Sequence, residues 1–390
     1  MDLADREGRE ALTRAVGDPD HFAEKLWATH PQHRQGSAEQ GFTDLLSLDD
    51  VDLVVSTTGL RLPLFRMVKD GEVLPAGRYT KTTRTGSHET RDVIDSRAVF
   101  GEFATGATIV FQSMHRYWQP LADYCRGLEL ALGHPVQANA YITPPGAQGF
   151  GAHEDEHDVF VLQSHGTKQW WVHERNDLPP TRPAVIDALL APGDSLYIPS
   201  GFPHSAATQD RESVHITIGI LAIPWTAVIK EAMKIIESDP GLQVPLPLRY
   251  AMADGEFDDE VGRRLGQVAT LVTGLNPAPI ARRLRRKVLT TRQSLLRGQM
   301  HRLLSLEQIG DESRMVRRAR SICVLEHVGG RLSVMLGDRE LLMPLRVEPA
   351  MQLISAGESF RVSDLPGLDQ AGRLVLMRRL VREGLLEVVV

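Results

Sequence analysis

The stretch from Asn139 to Ile220 constrains this chain most: short apolar runs such as Val159-Phe160-Val161-Leu162 and Trp170-Trp171-Val172 are broken repeatedly by Gly, Pro and Asp. Short β-branched and aromatic segments between turn residues are the pattern of an all-β sandwich or barrel. Helical patterns flank it. Trp118 to Leu132 carries apolar residues at helical spacing, with Pro120 in the first turn and Gly133 just past the end, the usual placement of these two residues around a helix. After Pro224 the spacing is helical again over Trp225 to Ile236 and Glu260 to Thr273, and in a segment opened by Asn276 as cap with Pro277 behind it. That last helix holds Arg282-Arg283-Leu284-Arg285-Arg286-Lys287, read either as a solvated face or as a contact for RNA.

The first hundred residues read as mixed structure: a short helix around Phe22 to Trp27, a second over Leu45 to Val55, and a Gly/Thr/Arg-rich loop from Gly77 to Gly86. From Asp311 onward the expectation is a helix, then a hairpin turning at Gly337-Asp338, then a helix near Val347 to Ile354. The strand-like Phe360-Arg361-Val362, a helix from Asp369 to Arg382 and a closing strand from Leu385 follow. Helices interleaved with a hairpin suggest a winged helix. Length supports several folding units, since 390 residues exceed a usual single core. The division expected is a mostly β catalytic core with a mixed N-terminal extension over 1–224, a helical segment over 225–308 and a winged-helix domain over 309–390, an α+β protein.

Composition narrows the chemistry. Two cysteines, Cys125 and Cys323, are too few for a disulfide framework or a thiolate zinc site, so a metal here must be held by His and carboxylate. No apolar run reaches the roughly 20 residues of a membrane helix, and the charged N-terminus lacks a secretion signal; a soluble, cytoplasmic protein is expected. The net charge of −6 argues against a general nucleic-acid binder, and the near-neutral C-terminal segment against direct DNA binding.

The motif with chemical content is His153-Glu154-Asp155-Glu156-His157. Read literally it fits H-E-x-x-H, a zinc-protease pattern that requires a helix. Its neighbours, Gly146, Gly149 and Gly151 before and a β-branched aromatic run after, indicate strand instead. In a strand His153 and Asp155 share a face, and the segment Pro192-Gly193-Asp194 through Pro199-Ser200-Gly201 to His204 offers a third ligand from a neighbouring strand. Two His and one carboxylate leave three positions open on iron, enough for a bidentate oxoacid and O2. Fe(II), one aspartate and 2-oxoglutarate sum to a negative site, so a buried cation is wanted; Lys168 is the candidate. A hairpin loop at 164–167 would set Gln163 opposite Lys168. Ten residues of straight strand span roughly 33 Å, so spacing alone does not bring Lys168 to the metal.

The run from Asn139-Ala140-Tyr141 through His153, Phe160-Val161-Leu162-Gln163 and Lys168-Gln169-Trp170, with Tyr197-Ile198-Pro199-Ser200-Gly201-Phe202-Pro203-His204, resembles the ribosomal-protein hydroxylases of the JmjC family. The resemblance implies a double-stranded β-helix (cupin/JmjC) core, a 2-oxoglutarate-dependent dioxygenase, and His153, Asp155 and His204 as both catalytic centre and Fe(II) ligands. It implies a bend near Glu156 to Asp158, that Lys168 pairs with the 2-oxoglutarate carboxylate, with Asn139, Tyr141 and Thr217 nearby, and that helices 225–308 form a homodimer. One departure stands out: Gly219 occupies a place where relatives can carry a hydroxyl residue. The expected function is hydroxylation of a ribosomal-protein side chain, His or Arg, held against Trp170 or Phe160. The alternatives are an oxygenase tailoring a peptide or small metabolite, and a non-oxygenase metal cupin or zinc hydrolase. His157, His165, His173 and His215 are expected to be ordinary structural histidines, with His157 and His215 near enough to the metal ligands to stand behind them.

Overall fold

A computed structural model describes residues 3–37, 41–252 and 255–389. The chain forms two compact units: Met1–Ala222 with Leu295–Ser321 and Arg346–Val390, and Ile223–Ser294 with Ile322–Leu345.

The first unit is built on two facing sheets. Its strands in chain order are β1 (Gln32–Arg34), β2 (Phe65–Lys69), β3 (Glu72–Val73), β4 (Thr80–Thr85), β5 (His88–Ile94), β6 (Thr108–Phe111) and β7 (Val136–Thr143). There follow β8 (Asp158–Gly166), β9 (Lys168–Val172), β10 (Ile186–Leu190), β11 (Ser195–Ile198), β12 (His204–Ala207) and β13 (Ser213–Ile220). The larger sheet runs β1-β11-β8-β13-β7-β6-β2-β3 and the smaller β10-β9-β12.

Period-two alternation gives the larger sheet two different faces. Even-numbered residues of β7 and β13, Ala138, Ala140, Ile142, Val214, Ile216 and Ile218, are buried in a core with Leu121, Tyr124 and Leu128 of helix Gln119–Leu132. That helix starts behind Trp118 and stops at Gly133, whose φ of 66° is the left-handed conformation a helix end favours. Odd-numbered residues point the other way, toward the smaller sheet. There Val159, Val161, Leu196 and Ile198 meet Trp170, Val172 and Leu190 in a second core. Phe160 therefore faces the helices, against Phe22 and Tyr197 at 5.6 and 5.4 Å between ring centroids. It is not a wall of the cavity between the sheets, contrary to the expectation from sequence.

Three local expectations are corrected. Gly77 to Gly86 is not a loop: β4 and β5 pair there as a polar ribbon. The segment after Asp311 is the strand Arg314–Arg317, central in a sheet with Phe360–Arg361 and Leu386–Val388, rather than a helix. No hairpin forms at 164–167, because β8 continues to Gly166 in the larger sheet while β9 starts at Lys168 in the smaller one. Gly166, at φ 61°, makes this crossing possible, since a Cβ there would lie 1.8 Å from the Glu212 carbonyl oxygen.

The C-terminal helices Glu348–Ser355 and Gln370–Arg382 belong to this unit. The N-terminal helix is tied to the same region by Arg320 N–H donating to Glu7 at 2.7 Å.

The second unit holds helices Thr226–Ile236, Glu256–Thr273 and Pro277–Thr290 and the sheet of strands Val324–Val328, Arg331–Met335 and Glu340–Pro344. Asn276 caps the third helix by accepting from Ala278 N–H, as the sequence indicates. The basic run is engaged within the unit: Arg282 pairs with Glu326 at 2.9 Å, Arg286 with Glu340 at 2.5 Å and Arg283 with Glu231 at 3.8 Å. No helix among the described residues is long and apolar enough to cross a membrane.

Candidate metal centre

His153 and Asp155 do not lie in a continuous strand. The chain between β7 and β8 is irregular, and two β-bridges interrupt it among the described residues, Gln148 with Ala207 and His153 with His204. His153 N–H donates to the His204 carbonyl (3.1 Å) and His204 N–H to the His153 carbonyl (2.8 Å). Two ligand candidates fifty residues apart are thus fixed as a backbone pair. Their rings stand 4.5 Å apart. The chain bends at Glu156-His157 before entering β8, within the range that the resemblance implied.

Both imidazoles are oriented from behind. Nδ1 of His153 faces the Gly151 carbonyl at 2.9 Å and Nδ1 of His204 the Phe202 carbonyl at 3.0 Å. A carbonyl can only accept, so each Nδ1 carries the proton and each Nε2 presents a lone pair, the arrangement a metal-binding histidine needs. His204 Nε2 lies 3.7 Å from Asp155 Oδ2, within the span of two metal–ligand bonds of about 2.0–2.2 Å each. Donor atoms of His153, Asp155 and His204 all fall within 4.8 Å of one another. Burial, and then the neighbouring His153, holds the His204 pKa below the usual imidazole value, keeping it neutral and ready to ligate. His157 stands outside this group, and its segment is not helical, so the zinc-protease geometry is absent.

The triad opens into a cavity lined by Tyr141, Lys168, Trp170, His215 and Thr217 among others. Lys168 projects from the smaller sheet and is 4 % exposed. Its ammonium donates to Thr143 Oγ1 at 3.0 Å, and no salt bridge to a carboxylate is formed by it among the described residues. Burial alone lowers its pKa to about 7. A buried cation facing only a hydroxyl fits an anionic ligand. Together with two imidazoles and one carboxylate, it fits Fe(II) with a dicarboxylic oxoacid.

Thr217 lines the cavity, and Tyr141 stacks parallel on His215 with ring centroids 4.9 Å apart. Asn139 lies further along the same strand face, where its amide oxygen accepts from Ser113 N–H at 2.9 Å and its side chain bonds the Tyr141 hydroxyl. Four residues near the cavity had not been singled out as site residues. Thr143 and Thr108 bond each other beside Lys168. His215, fully buried and held well below the usual imidazole pKa by burial and by Lys168, lies in the row Tyr141–His215–Gln163. Arg66 sits 5.2 Å over the Phe150 ring. The odd-residue pattern that singles out Asn139 and Tyr141 extends to Thr143; nothing local marks Arg66 or Thr108. Gly219 is explained by its neighbour, since a Cβ would lie 2.5 Å from His157 Nε2. The ring of His157 takes the space a hydroxyl side chain would need.

Residues 115–228 match the family model described as JmjC domain. Among curated proteins, the chain is 27% identical over 242 residues to the bifunctional lysine-specific demethylase and histidyl-hydroxylase NO66 of Drosophila willistoni, covering 55% of this chain and 29% of that protein. It is 27% identical over 216 residues to human ribosomal oxygenase 1, covering 51% and 32%. The chain thus spans under a third of the length of those relatives. The Escherichia coli ribosomal oxygenase YcfD shares the fold across 96% of this chain and 99% of its own, with a TM-score of 0.56 at 19% identity. YcfD has also been solved with cobalt and 2-oxoglutarate, and that structure matches with a TM-score of 0.55.

Proposed function

We propose that this JmjC protein is an Fe(II)- and 2-oxoglutarate-dependent dioxygenase that hydroxylates a side chain of a ribosomal protein. The observation that carries the chemistry is one cavity holding a two-histidine, one-aspartate cluster and a buried lysine with no carboxylate partner. His153 and His204 offer Nε2, Asp155 supplies one anionic oxygen, and Lys168 meets the far carboxylate of the oxoacid. Iron bound there would use O2 and 2-oxoglutarate to oxidise a C–H bond, with release of succinate and CO2. Burial of Lys168 excludes water from the far end of the cavity and makes its charge count for more than it would at the surface.

The substrate reading is supported by the names of the relatives and by a fold shared along nearly the whole chain with a ribosomal oxygenase. Trp170, 6 % exposed and 6.2 Å from the His204 ring, offers a flat surface beside the metal for a planar His or Arg side chain. We infer also a cytoplasmic, homodimeric protein in which 225–308 is the dimerisation segment and 309–390 a winged-helix module. The second unit exposes Trp225, Ile229, Leu248, Met252 and Leu265, apolar area of the kind a partner covers. The deciding experiment is intact-mass analysis of ribosomal proteins from cells with and without the gene. Loss of about 16 Da from one of them on deletion supports the reading, and unchanged masses throughout refute the ribosomal substrate.

A further inference from the structure

Asp155 is the metal-ligand candidate with the least local support. It lies outside any strand, whereas His153 and His204 hold one another through their bridge. What holds it is a turn. Its carbonyl accepts from Gly201 N–H at 3.0 Å and from Ser200 Oγ at 3.2 Å, so the position of Asp155 is set by Pro199-Ser200-Gly201.

That turn is held in its own right by a buried carboxylate. Asp158, 5 % exposed, accepts the Ser200 N–H on Oδ1 at 2.9 Å and the Tyr197 hydroxyl on Oδ2. Tyr197 points away from the cavity into the helical core, where it packs edge-on to Phe22 at 4.8 Å. Its hydroxyl oxygen also accepts the Ala28 N–H at 2.8 Å. The residues between, Phe22–Leu26, form a π-helical turn that brings Ala28 to this point. An unbroken hydrogen-bonded path therefore runs from Ala28 through Tyr197, Asp158 and Ser200 to the backbone of Asp155.

We propose that Tyr197 and Asp158 are positioning residues for the carboxylate ligand, and that the N-terminal segment Phe22–Ala28 is through them part of the support of the metal site. The inference rests on the triad being the metal site. Asp158 can hold the turn only while its second oxygen is satisfied; deprived of the tyrosine hydroxyl, a buried carboxylate turns toward another donor and gives up its geometry at Ser200. Tyr197 is not among the residues that line the triad cavity, and its hydroxyl reaches the turn through Asp158.

The test is Mn(II) binding to the full chain by calorimetry, with thermal melting of the metal-free proteins alongside. Tyr197→Phe removes the hydroxyl and keeps the ring in the core. The expected result is a metal affinity weaker by about 10-fold or more, the usual effect of losing a group that orients a ligand. Wild-type affinity in a Tyr197→Phe protein that melts at lower temperature would assign Tyr197 to packing only and overturn the proposal. If Tyr197→Phe does not fold, Ser200→Ala, at a half-buried turn position, decides: a loss of a few-fold is expected, and no loss overturns it. Absence of Mn(II) binding by the wild type would remove the metal site, and this inference with it, whereas wild-type binding with unaltered variants removes the inference alone.

Discussion

Lys168 Nζ donates to Thr143 Oγ1 across 3.0 Å, so the buried cation of one sheet meets a neutral hydroxyl of the other. With burial bringing its pKa to about 7, the lysine is only partly charged at neutral pH. A bound dicarboxylate would stabilise the charged form and raise that pKa. The binding reaction therefore takes up a proton above pH 7. Affinity for 2-oxoglutarate should fall as pH rises past 7, by up to about tenfold per unit, and be insensitive to this group below it. Calorimetry in two buffers of different ionisation enthalpy measures the proton; equal observed heats in the two buffers at pH 8 would contradict the assignment. Lys168→Ala should raise the 2-oxoglutarate requirement strongly, by several kcal/mol in binding, and an unchanged requirement would give the role to another cation.

The same residue affects stability of the ligand-free protein with a defined sign. An unfolded lysine holds its proton to about pH 10.4, while the folded one releases it near 7. Between those values the unfolded chain binds more protons, so the contribution of Lys168 to stability rises with pH across that window. In Lys168→Met the rise should be reduced, as read from melting temperatures at pH 7 and pH 9; identical slopes would show that burial is relieved by another route.

Each of His153→Ala, Asp155→Ala and His204→Ala should abolish 2-oxoglutarate turnover, as should a chelator, because two remaining ligands hold iron too weakly. Succinate formation and metal content of the purified variants check this. Iron-dependent turnover surviving in the double variant Asp155→Ala, His204→Ala would place the metal elsewhere.

Gly219 faces His157 closely enough that a Cβ would lie 2.5 Å from its ring nitrogen. Gly219→Ser should thus lower stability by about 1–3 kcal/mol through overpacking, and His157→Ala in the same chain should recover most of that loss. A double variant no more stable than Gly219→Ser, by urea unfolding, would show that backbone and not the ring is the obstacle.

The exposed apolar residues of the second unit lead to a prediction of a dimer at micromolar concentration in light scattering. Trp225→Asp with Ile229→Asp, both exposed in the chain alone at 84 % and 60 %, should shift it toward monomer. A wild-type monomer would refute the assignment.

The clustering of His153 and His204 was legible in the sequence from the Gly-rich run before His153 and the Pro-Gly-Asp and Pro-Ser-Gly turns before His204, whereas the strand face expected to carry Asp155 beside His153 does not form. The helix Gln119–Leu132 was legible from periodicity and Gly133. What could not be read depended on partners far along the chain. A hairpin and a crossing between sheets at Gly166 look alike locally, because either needs one glycine with positive φ. The β4–β5 ribbon of Thr, Lys and Arg carries no apolar stripe, so its pairing left no trace in hydropathy. Thr108 lines the cavity and Arg66 lies over its wall residue Phe150, both from strands whose own apolar residues face the core.

The two-faced strands of the larger sheet separate tasks by parity. In Val136–Thr143 and Ser213–Ile220 the even positions carry the contact with the helices, and the odd ones, from Asn139, Tyr141 and Thr143 to His215 and Thr217, border the cavity. Insertion of a single residue in either strand would exchange the two sets and destroy stability and chemistry together. Substitution confined to odd positions is a different matter. A combinatorial library restricted to 141, 215 and 217, which line the cavity, would vary its chemistry while every residue that holds the sheet to its helices stays as it is.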